Sequence, residues 1–124
     1  MKVYVLRLEC SNFYSVMTFF EIVYTQSLEV TLEELHLVEE YSVLVIPGVG
    51  HISSFFKEIN EVYSTEEFKN VISSRNLMLI GICLGFQVLF RSSDEKPGLS
   101  GLGFFPYSIQ KIYEDSRPLV GWKQ

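Results

Sequence analysis

The chain has 124 residues, which fits one domain, and 48% of them are hydrophobic while 20% are charged. These proportions are typical of a globular protein and exclude a disordered one. The net charge is −5, and no stripe of clustered Lys and Arg is present. The charge therefore argues against nucleic acid or an anionic membrane as the main partner. Charged residues also interrupt the apolar stretches well before these reach membrane-spanning length.

Cys10 and Cys83 are the only two cysteines, and they are far apart in the sequence without metal-ligand spacing. Because no secretory signal is apparent, we expect a reduced, cytoplasmic setting. No G-x-G-x-x-G motif and no His/Cys/Asp cluster points to a nucleotide, a flavin or a metal. The sequence therefore predicts no cofactor.

Predicted strands and helices alternate along the chain. The predicted strands cover residues 2–8, 22–25, a short stretch at Val30, 41–46, 77–80, 104–107 and 109–113. The predicted helices cover 12–21, a short one capped by Thr31, one that starts at Ser53 or Ser54, one capped by Thr65, and 84–91. Strands that alternate with helices, with continuous apolar runs in the central strands, predict an α/β fold with a doubly wound, mostly parallel sheet.

The most informative segment, residues 81–87, reads Gly-Ile-Cys-Leu-Gly-Phe-Gln and follows a predicted strand. We expect Cys83 to lie in a sharp, strained turn from which the next helix directs its N-terminus back toward the sulfur, favouring the thiolate. Glycine at 81 and 85 avoids Cβ atoms that would crowd this turn. The alternative is a small core residue, because free cysteine is among the most buried residue types.

A second glycine-marked turn, Pro47-Gly48-Val49-Gly50, follows the predicted strand 41–46. In a doubly wound sheet, function resides at the carboxyl ends of the strands, where both turns are expected. One turn offers a thiol, and the other offers backbone N–H groups suited to an oxyanion. Together they indicate acyl-transfer chemistry.

These motifs occur with Ser92, Ser93 and Glu95, with Gly101-Leu102-Gly103, and with Pro118-x-x-Gly121-Trp122. In this order and spacing they resemble the class I, triad-type glutamine amidotransferases. The nearest resemblance is to the HisH type, the glutaminase subunit of imidazole glycerol phosphate synthase. It covers essentially the whole chain and is strongest from Tyr41 onward. It implies a flavodoxin-like sheet and a single domain, residues 1–124, whose C-terminal part is missing.

The resemblance also implies roles for particular residues. Cys83 would attack the side-chain amide of glutamine, and the ammonia would pass to a HisF-like (β/α)₈-barrel synthase subunit. Backbone N–H groups of Leu84 and of the Val49–Gly50 turn, after a peptide reorientation, would form the oxyanion hole. The remaining assignments are Gly48, Gln87 and Glu95 for holding glutamine, and Asn12, Pro118, Gly121 and Trp122 for the partner interface.

The chain departs from the family pattern in three places. Family members continue to a His-x-Glu pair that completes the triad, whereas the only histidines here, His36 and His51, precede Cys83. We expect neither to replace the missing base, so the chain alone should be a very poor glutaminase. The loop at 7–12 keeps only Asn12 of the family's Asp-Tyr-Gly-x-Gly-Asn, and Lys123 stands where Asn is typical.

Several functions therefore stay open, and so does the question of whether the chain is an active enzyme. One is a glutaminase subunit for histidine biosynthesis. Its alternative is a HisH-like paralogue that supplies ammonia to a sugar amidotransferase of surface-polysaccharide synthesis. Another is a catalytically dead scaffold subunit that keeps the synthase-binding face. The last is a cysteine-elbow chaperone or peptidase of the same superfamily, against which Gln87, Glu95 and Gly121-Trp122 argue.

Overall fold

Parallel strands alternate with helices in the computed structural model, which describes residues 1–24, 26–48, 50–93, 101–109, 113–114 and 117–118. The strands are β1 Val3–Leu6, β2 Ser27–Val30, β3 Val43–Ile46, β4 Met78–Gly81, β5 Phe90–Ser93, β6 Phe105–Ile109, β7 Tyr113–Glu114 and β8 Arg117–Pro118. The helices are α1 Phe13–Val23, α2 Ile52–Ile59, α3 Thr65–Ser74 and α4 Leu84–Gln87, with a 3₁₀ turn at Leu35–Leu37.

The first four strands form one sheet in the order β2-β1-β3-β4, and every neighbouring pair is parallel. Val43 of β3 pairs with Val3 on one side and with Met78 on the other. The predicted α/β fold with a parallel sheet is therefore confirmed. Outside this sheet, β5 pairs in parallel with β6, and β7 pairs antiparallel with β8.

Helices pack on both faces of the sheet, and β3 is buried along its whole length. On one face, Leu44 and Ile46 pack with Phe55 of α2 and Phe68 of α3 in the larger core. On the other face, side chains of β1 and β3 pack beneath α1 in a smaller core, made by Val3, Val5, Phe13, Val16, Val43 and Val45. A strand covered on both faces has a continuous apolar sequence, as predicted for 41–46, although β3 begins only at Val43.

The predicted strand at 22–25 is wrong, because Ile22 and Val23 continue α1. The N–H of Tyr24 still donates to the Phe20 carbonyl at 2.7 Å, and Thr25 lies outside the described residues. The β-branched residues there favour a strand locally, but the helical period that buries Phe13 and Val16 carries on past them.

The predicted helix at 84–91 is also too long. Helix α4 has only four residues, and the chain then enters β5, whose Phe90 pairs with Phe105. Helix starts are displaced too: His51 caps α2 instead of Ser53 or Ser54, and Ser64 instead of Thr65 caps α3. None of the helices in the described ranges combines the length and the hydropathy of a membrane-spanning segment.

The helix expected after Thr31 is a single 3₁₀ turn, although half of the predicted capping box forms. The N–H of Thr31 donates to Glu34 Oε2 at 3.3 Å. The predicted strand at 104–107 overlaps β6. Most of the predicted strand at 109–113 lies outside the described residues, which include only its first and last positions.

Candidate active site

Cys83 lies in the turn between β4 and α4, with φ 53° and ψ −116°, and its side chain is exposed. Non-glycine residues rarely adopt a positive φ, and such a conformation costs on the order of 1–3 kcal/mol. The strained turn predicted from the sequence is therefore confirmed, and the buried-core alternative for this cysteine is wrong.

Backbone hydrogen bonds hold the turn on both sides of the thiol. The N–H of Ile82 donates to the carbonyl of Ile46 at the end of β3, at 3.0 Å. The N–H groups of Phe86 and Gln87 both donate to the Cys83 carbonyl, at 3.0 and 3.1 Å. These bonds fix Cys83 between a buried strand and the first helical turn, so that the surroundings maintain the strained conformation.

The two flanking glycines are required by close backbone contacts. A Cβ atom built on Gly85 would lie 1.7 Å from the Ile46 carbonyl oxygen. One built on Gly81 would lie 2.5 Å from the Gly85 carbonyl oxygen. The prediction that Cβ atoms would crowd this turn is confirmed, and the crowding comes from the protein's own backbone.

The second glycine turn lies against the first. The N–H of Leu84 donates to the Gly48 carbonyl at 3.0 Å, and a Cβ on Gly48 would lie 2.9 Å from the Leu84 Cβ. The N–H that the resemblance assigns to an oxyanion hole is thus bonded within the protein. Gly50 has φ 94°, and a Cβ built on it would meet no described atom within 4 Å apart from its chain neighbours, while Val49 lies outside the described residues.

Gln87, one helical turn after Cys83, is half-buried. Its Oε1 atom is enclosed and has no hydrogen-bond partner among the described residues. An unpaired buried polar atom costs about 1–3 kcal/mol. The described residues therefore leave this amide oxygen without a donor.

The side chain of His51 makes a helix-capping hydrogen bond. It is the N-cap of α2, where its Nδ1 accepts from the Ser53 N–H at 3.2 Å and lies 2.7 Å from Ser53 Oγ. An Nδ1 that accepts leaves the proton of a neutral ring on Nε2, so no ring lone pair is left to take a proton from a thiol. His36 is exposed at the 3₁₀ turn. His51 therefore caps a helix and His36 is exposed, and that neither histidine replaces the base stays a prediction.

The loop after β1 is held by a carboxylate from a distant part of the sequence. Glu58 of α2 accepts from the N–H of Glu9 at 2.8 Å and from the N–H of Cys10 at 3.0 Å. Burial, together with the negative charge of Glu58, raises the pKa of Cys10 to about 12. Sequence reasoning missed Glu58, because no local pattern signals a bond across 48 residues.

The structure brings together only some of the predicted site residues. Cys83, Leu84, Gln87 and Gly48 share one corner at the carboxyl ends of β3 and β4, and Gly50 follows in the same turn. Asn12 is exposed at the start of α1, without a side-chain cap bond. The backbone of Pro118 lies in β8, and Val49, Glu95, Gly121 and Trp122 lie outside the described residues.

Metal ligands are not grouped in the described ranges: nowhere in them do three His, Cys, Asp or Glu side chains gather to hold an ion. The corner around Cys83 therefore offers a thiol, glycine-rich backbone and one unpaired amide oxygen. An exposed thiol in a strained strand-to-helix turn is suited to nucleophilic attack on a carbonyl carbon.

Curated relatives match most of this chain. HisH subunits of imidazole glycerol phosphate synthase are 36% identical over 84 residues in Thermus thermophilus, 34% over 96 in Exiguobacterium sibiricum and 42% over 110 in Prochlorococcus marinus. These alignments cover 68%, 77% and 79% of this chain, but only 42%, 48% and 51% of the relatives.

No protein-family model matches the chain. The chain spans about half the length of the curated relatives it matches. Over the matched span, the chain is 34–42% identical to the three relatives named above. The same chain has the strained cysteine turn and the parallel sheet. The chain is therefore a homologue of the HisH subunits of imidazole glycerol phosphate synthase, matching them over about half of their length.

Proposed function

We propose that this chain carries the nucleophile of a glutaminase that supplies ammonia to a synthase, in histidine biosynthesis in the cytoplasm. The observation that carries the proposal is the exposed thiol of Cys83 in a strained strand-to-helix turn of a HisH homologue. A strained turn of this kind projects a nucleophile above the sheet edge, where a substrate can reach it. The same feature argues against a purely structural cysteine.

The proposed reaction is attack by the Cys83 sulfur on the side-chain amide carbon of glutamine. A carbon–sulfur bond forms, the carbon–nitrogen bond breaks, and the nitrogen takes up a proton and leaves as ammonia. Water then hydrolyses the γ-glutamyl thioester to glutamate and regenerates the thiol. Proton transfer to the nitrogen and from the water needs an acid and a base, for which family resemblance implies a His-x-Glu pair.

The oxyanion of this reaction would be stabilised by the Leu84 N–H and by a second N–H from the Val49–Gly50 turn. Leu84 can serve only if the Gly48 carbonyl, which now accepts its hydrogen bond, turns away. A Cβ built on Gly50 would meet no atom of the described residues within 4 Å, its chain neighbours aside, which supports such a reorientation. One such donor is worth about 3–4 kcal/mol of the activation barrier.

Glutamine itself would be held by Gly48, Gln87 and Glu95. The position of Gln87 one helical turn after Cys83, on the same short helix, supports its part in this assignment. The ammonia would then pass to a HisF-like barrel subunit docked near Asn12, which is exposed, and near the segment from Pro118 to Trp122.

A scaffold subunit without catalysis is the second candidate. Two groups that catalysis could use are instead hydrogen-bonded within the protein, which favours this candidate. The Leu84 N–H donates to the Gly48 carbonyl, and the His51 Nδ1 caps α2. Such a subunit would bind its synthase partner equally well after Cys83→Ala. Within the glutaminase proposal, the alternative is that a sugar amidotransferase, instead of a HisF-like synthase, receives the ammonia.

Trapping the thioester separates these candidates. The chain would be mixed with radiolabelled glutamine, quenched in acid and digested, and the label assigned to a peptide. The glutaminase proposal predicts label on the Cys83 peptide, lost in Cys83→Ala and kept in Cys10→Ala, which removes the other thiol. A folded chain that binds its synthase partner but never takes up label would contradict catalysis by this chain and favour the scaffold function.

A further inference from the structure

The loop that joins β1 to α1, residues 7–12, is fixed at both ends by backbone hydrogen bonds. At its start, the N–H of Arg7 donates to the Val30 carbonyl of β2 at 2.8 Å. Near its end, Ser11 turns back on Leu8, whose carbonyl accepts from the Ser11 N–H at 3.2 Å and from the Ser11 Oγ at 2.7 Å. Between these two points, the loop is held by another part of the chain.

Glu58 of α2 binds the middle of this loop through both of its carboxylate oxygens. Its Oε2 accepts from the N–H of Glu9 at 2.8 Å, and its Oε1 accepts from the N–H of Cys10 at 3.0 Å. Hydrogen bonds to a charged group are stronger than those between neutral groups, and a pair of them on one planar group fixes orientation as well as distance. Glu58 therefore determines where residues 9 and 10 lie relative to α2.

Glu58 is itself held by the packing of its helix. One face of α2 is buried in the larger core through Ile52, Phe55, Phe56 and Ile59. Glu58 is half-buried and directly precedes Ile59, which is 0% exposed. Side chains on a packed helix are placed more precisely than those on loops. The carboxylate is consequently a fixed point to which the mobile element, the loop, is attached.

The loop forms one wall of a polar cleft at the carboxyl end of β1. The cleft has a volume of about 370 Å³, and its polar side chains are those of Arg7, Glu9, Ser11, Asn12, Tyr14 and Ser15. Asn12, the residue near which the partner is proposed to dock, is exposed there. Because Glu9 both lines the cleft and bonds to Glu58, a change at Glu58 would move this wall.

We propose that Glu58 is a positioning residue for partner recognition, whose two hydrogen bonds preset the loop at 7–12 in the conformation that a HisF-like synthase subunit binds. The inference rests on the proposed function, from which it takes the partner and its place near Asn12. A loop that is ordered before binding loses less conformational entropy on binding, so affinity rises without any contact between Glu58 and the partner. Both oxygens of Glu58 are engaged by the loop, which fits this indirect role.

The first part of the test uses the chain alone. Glu58→Gln keeps the shape of the side chain but replaces one acceptor oxygen with an NH₂ donor, which cannot bond to an N–H. Hydrogen exchange at the Glu9 and Cys10 amides should become about tenfold faster. Exchange at the Leu84 amide, which bonds to Gly48 in the corner around Cys83, should stay the same. Unchanged exchange at Glu9 and Cys10 would overturn the proposal.

The second part measures affinity for the HisF-like barrel subunit of the same organism, by calorimetric titration at a temperature where every variant is folded. Glu58→Gln should bind about tenfold more weakly than the original chain. Glu61→Gln is the matched control, because it removes the same charge from an exposed position three residues later, and it should bind as the original chain does.

The outcomes separate this inference from the function on which it rests. A purely structural Glu58 would lower the thermal midpoint in Glu58→Gln and leave the affinity unchanged, and that result would overturn the proposal. Equal weakening by Glu61→Gln would also overturn it, by assigning the effect to net charge. If the original chain binds no such barrel subunit, the partner under the proposed function is wrong and this inference fails with it.

Discussion

The N–H of Leu84 and the carbonyl of Gly48 are joined by a 3.0 Å hydrogen bond that links the two glycine turns of the site. The bond orders the corner around Cys83, yet it occupies a donor that acyl-transfer chemistry would need. Under the proposed mechanism, the described conformation would be a resting one. Catalysis as proposed requires this bond to exchange for one to the substrate oxygen.

Exchange of this bond can be followed by NMR. A glutamine-like aldehyde that adds to Cys83 creates a tetrahedral oxyanion mimic, and we expect the Leu84 amide proton to shift as its acceptor changes. The amide of Gly85, which donates to the Ile82 carbonyl at 2.9 Å, serves as the internal control. A Leu84 resonance that stays in place while mass spectrometry shows a modified Cys83 would contradict the proposed oxyanion hole.

Gly85→Ala should destabilise the fold by at least about 3 kcal/mol, because its Cβ would collide with backbone instead of a movable side chain. The colliding atom is the Ile46 carbonyl oxygen, 1.7 Å away. Urea unfolding measures the change. Gly50→Ala is the matched control: nothing lies near its Cβ, so only its φ of 94° opposes alanine, at about 1–2 kcal/mol. Equal decreases in the free energy of unfolding of the two variants would argue against the collision at Gly85.

Alkylation with iodoacetamide should be slow at Cys10 at neutral pH, since burial and the charge of Glu58 raise the pKa of its thiol to about 12. Glu58→Gln removes the charge and should lower that pKa, so labelling of Cys10 should begin at lower pH. Peptide mass spectrometry across a pH series follows both cysteines separately. The same pH dependence of Cys10 labelling in both proteins would show that the carboxylate has no influence.

The same shift makes folding stability depend on pH in the alkaline range. The unfolded thiol ionises near its ordinary pKa of 9.0, while the folded thiol keeps its proton to about 12. The unfolded state therefore binds fewer protons between these values, and the free energy of unfolding should fall as pH rises through this range. Cys10→Ala should show a smaller fall in urea titrations. An identical alkaline profile would rule out this contribution.

His51 should act as a helix cap and not as a catalytic base. His51→Ala should cost about 1 kcal/mol, because the Ser53 N–H loses its acceptor, and His51→Asn should restore most of it. Thermal unfolding measures both variants. Trapping of the thioester at Cys83 should be equal in the two, and a loss of trapping in a folded His51→Asn protein would assign the histidine a chemical role.

Local sequence patterns predicted the turn at Cys83 and the buried strand β3, because short-range sterics and a continuous apolar run determine them. The end of α1 and the length of α4 were not predictable in this way. There, packing beneath the sheet and pairing of Phe90 with Phe105 override the local preferences. The hydrogen bonds that the N–H groups of Glu9 and Cys10 donate to Glu58 depend wholly on the tertiary fold. The unpaired oxygen of Gln87 could likewise not be read from its motif.

Selective labelling of Cys83 by 6-diazo-5-oxo-norleucine, a glutamine-analogue electrophile, tests the central claim most directly. Intact-mass measurement should show one adduct that free glutamine prevents, that Cys83→Ala abolishes and that Cys10→Ala leaves unchanged. This result would mean that the turn and a glutamine pocket are both functional in the chain. A demonstrably folded sample that acquires no adduct, or acquires one that glutamine does not suppress, would contradict the assignment of Cys83 as a glutaminase nucleophile.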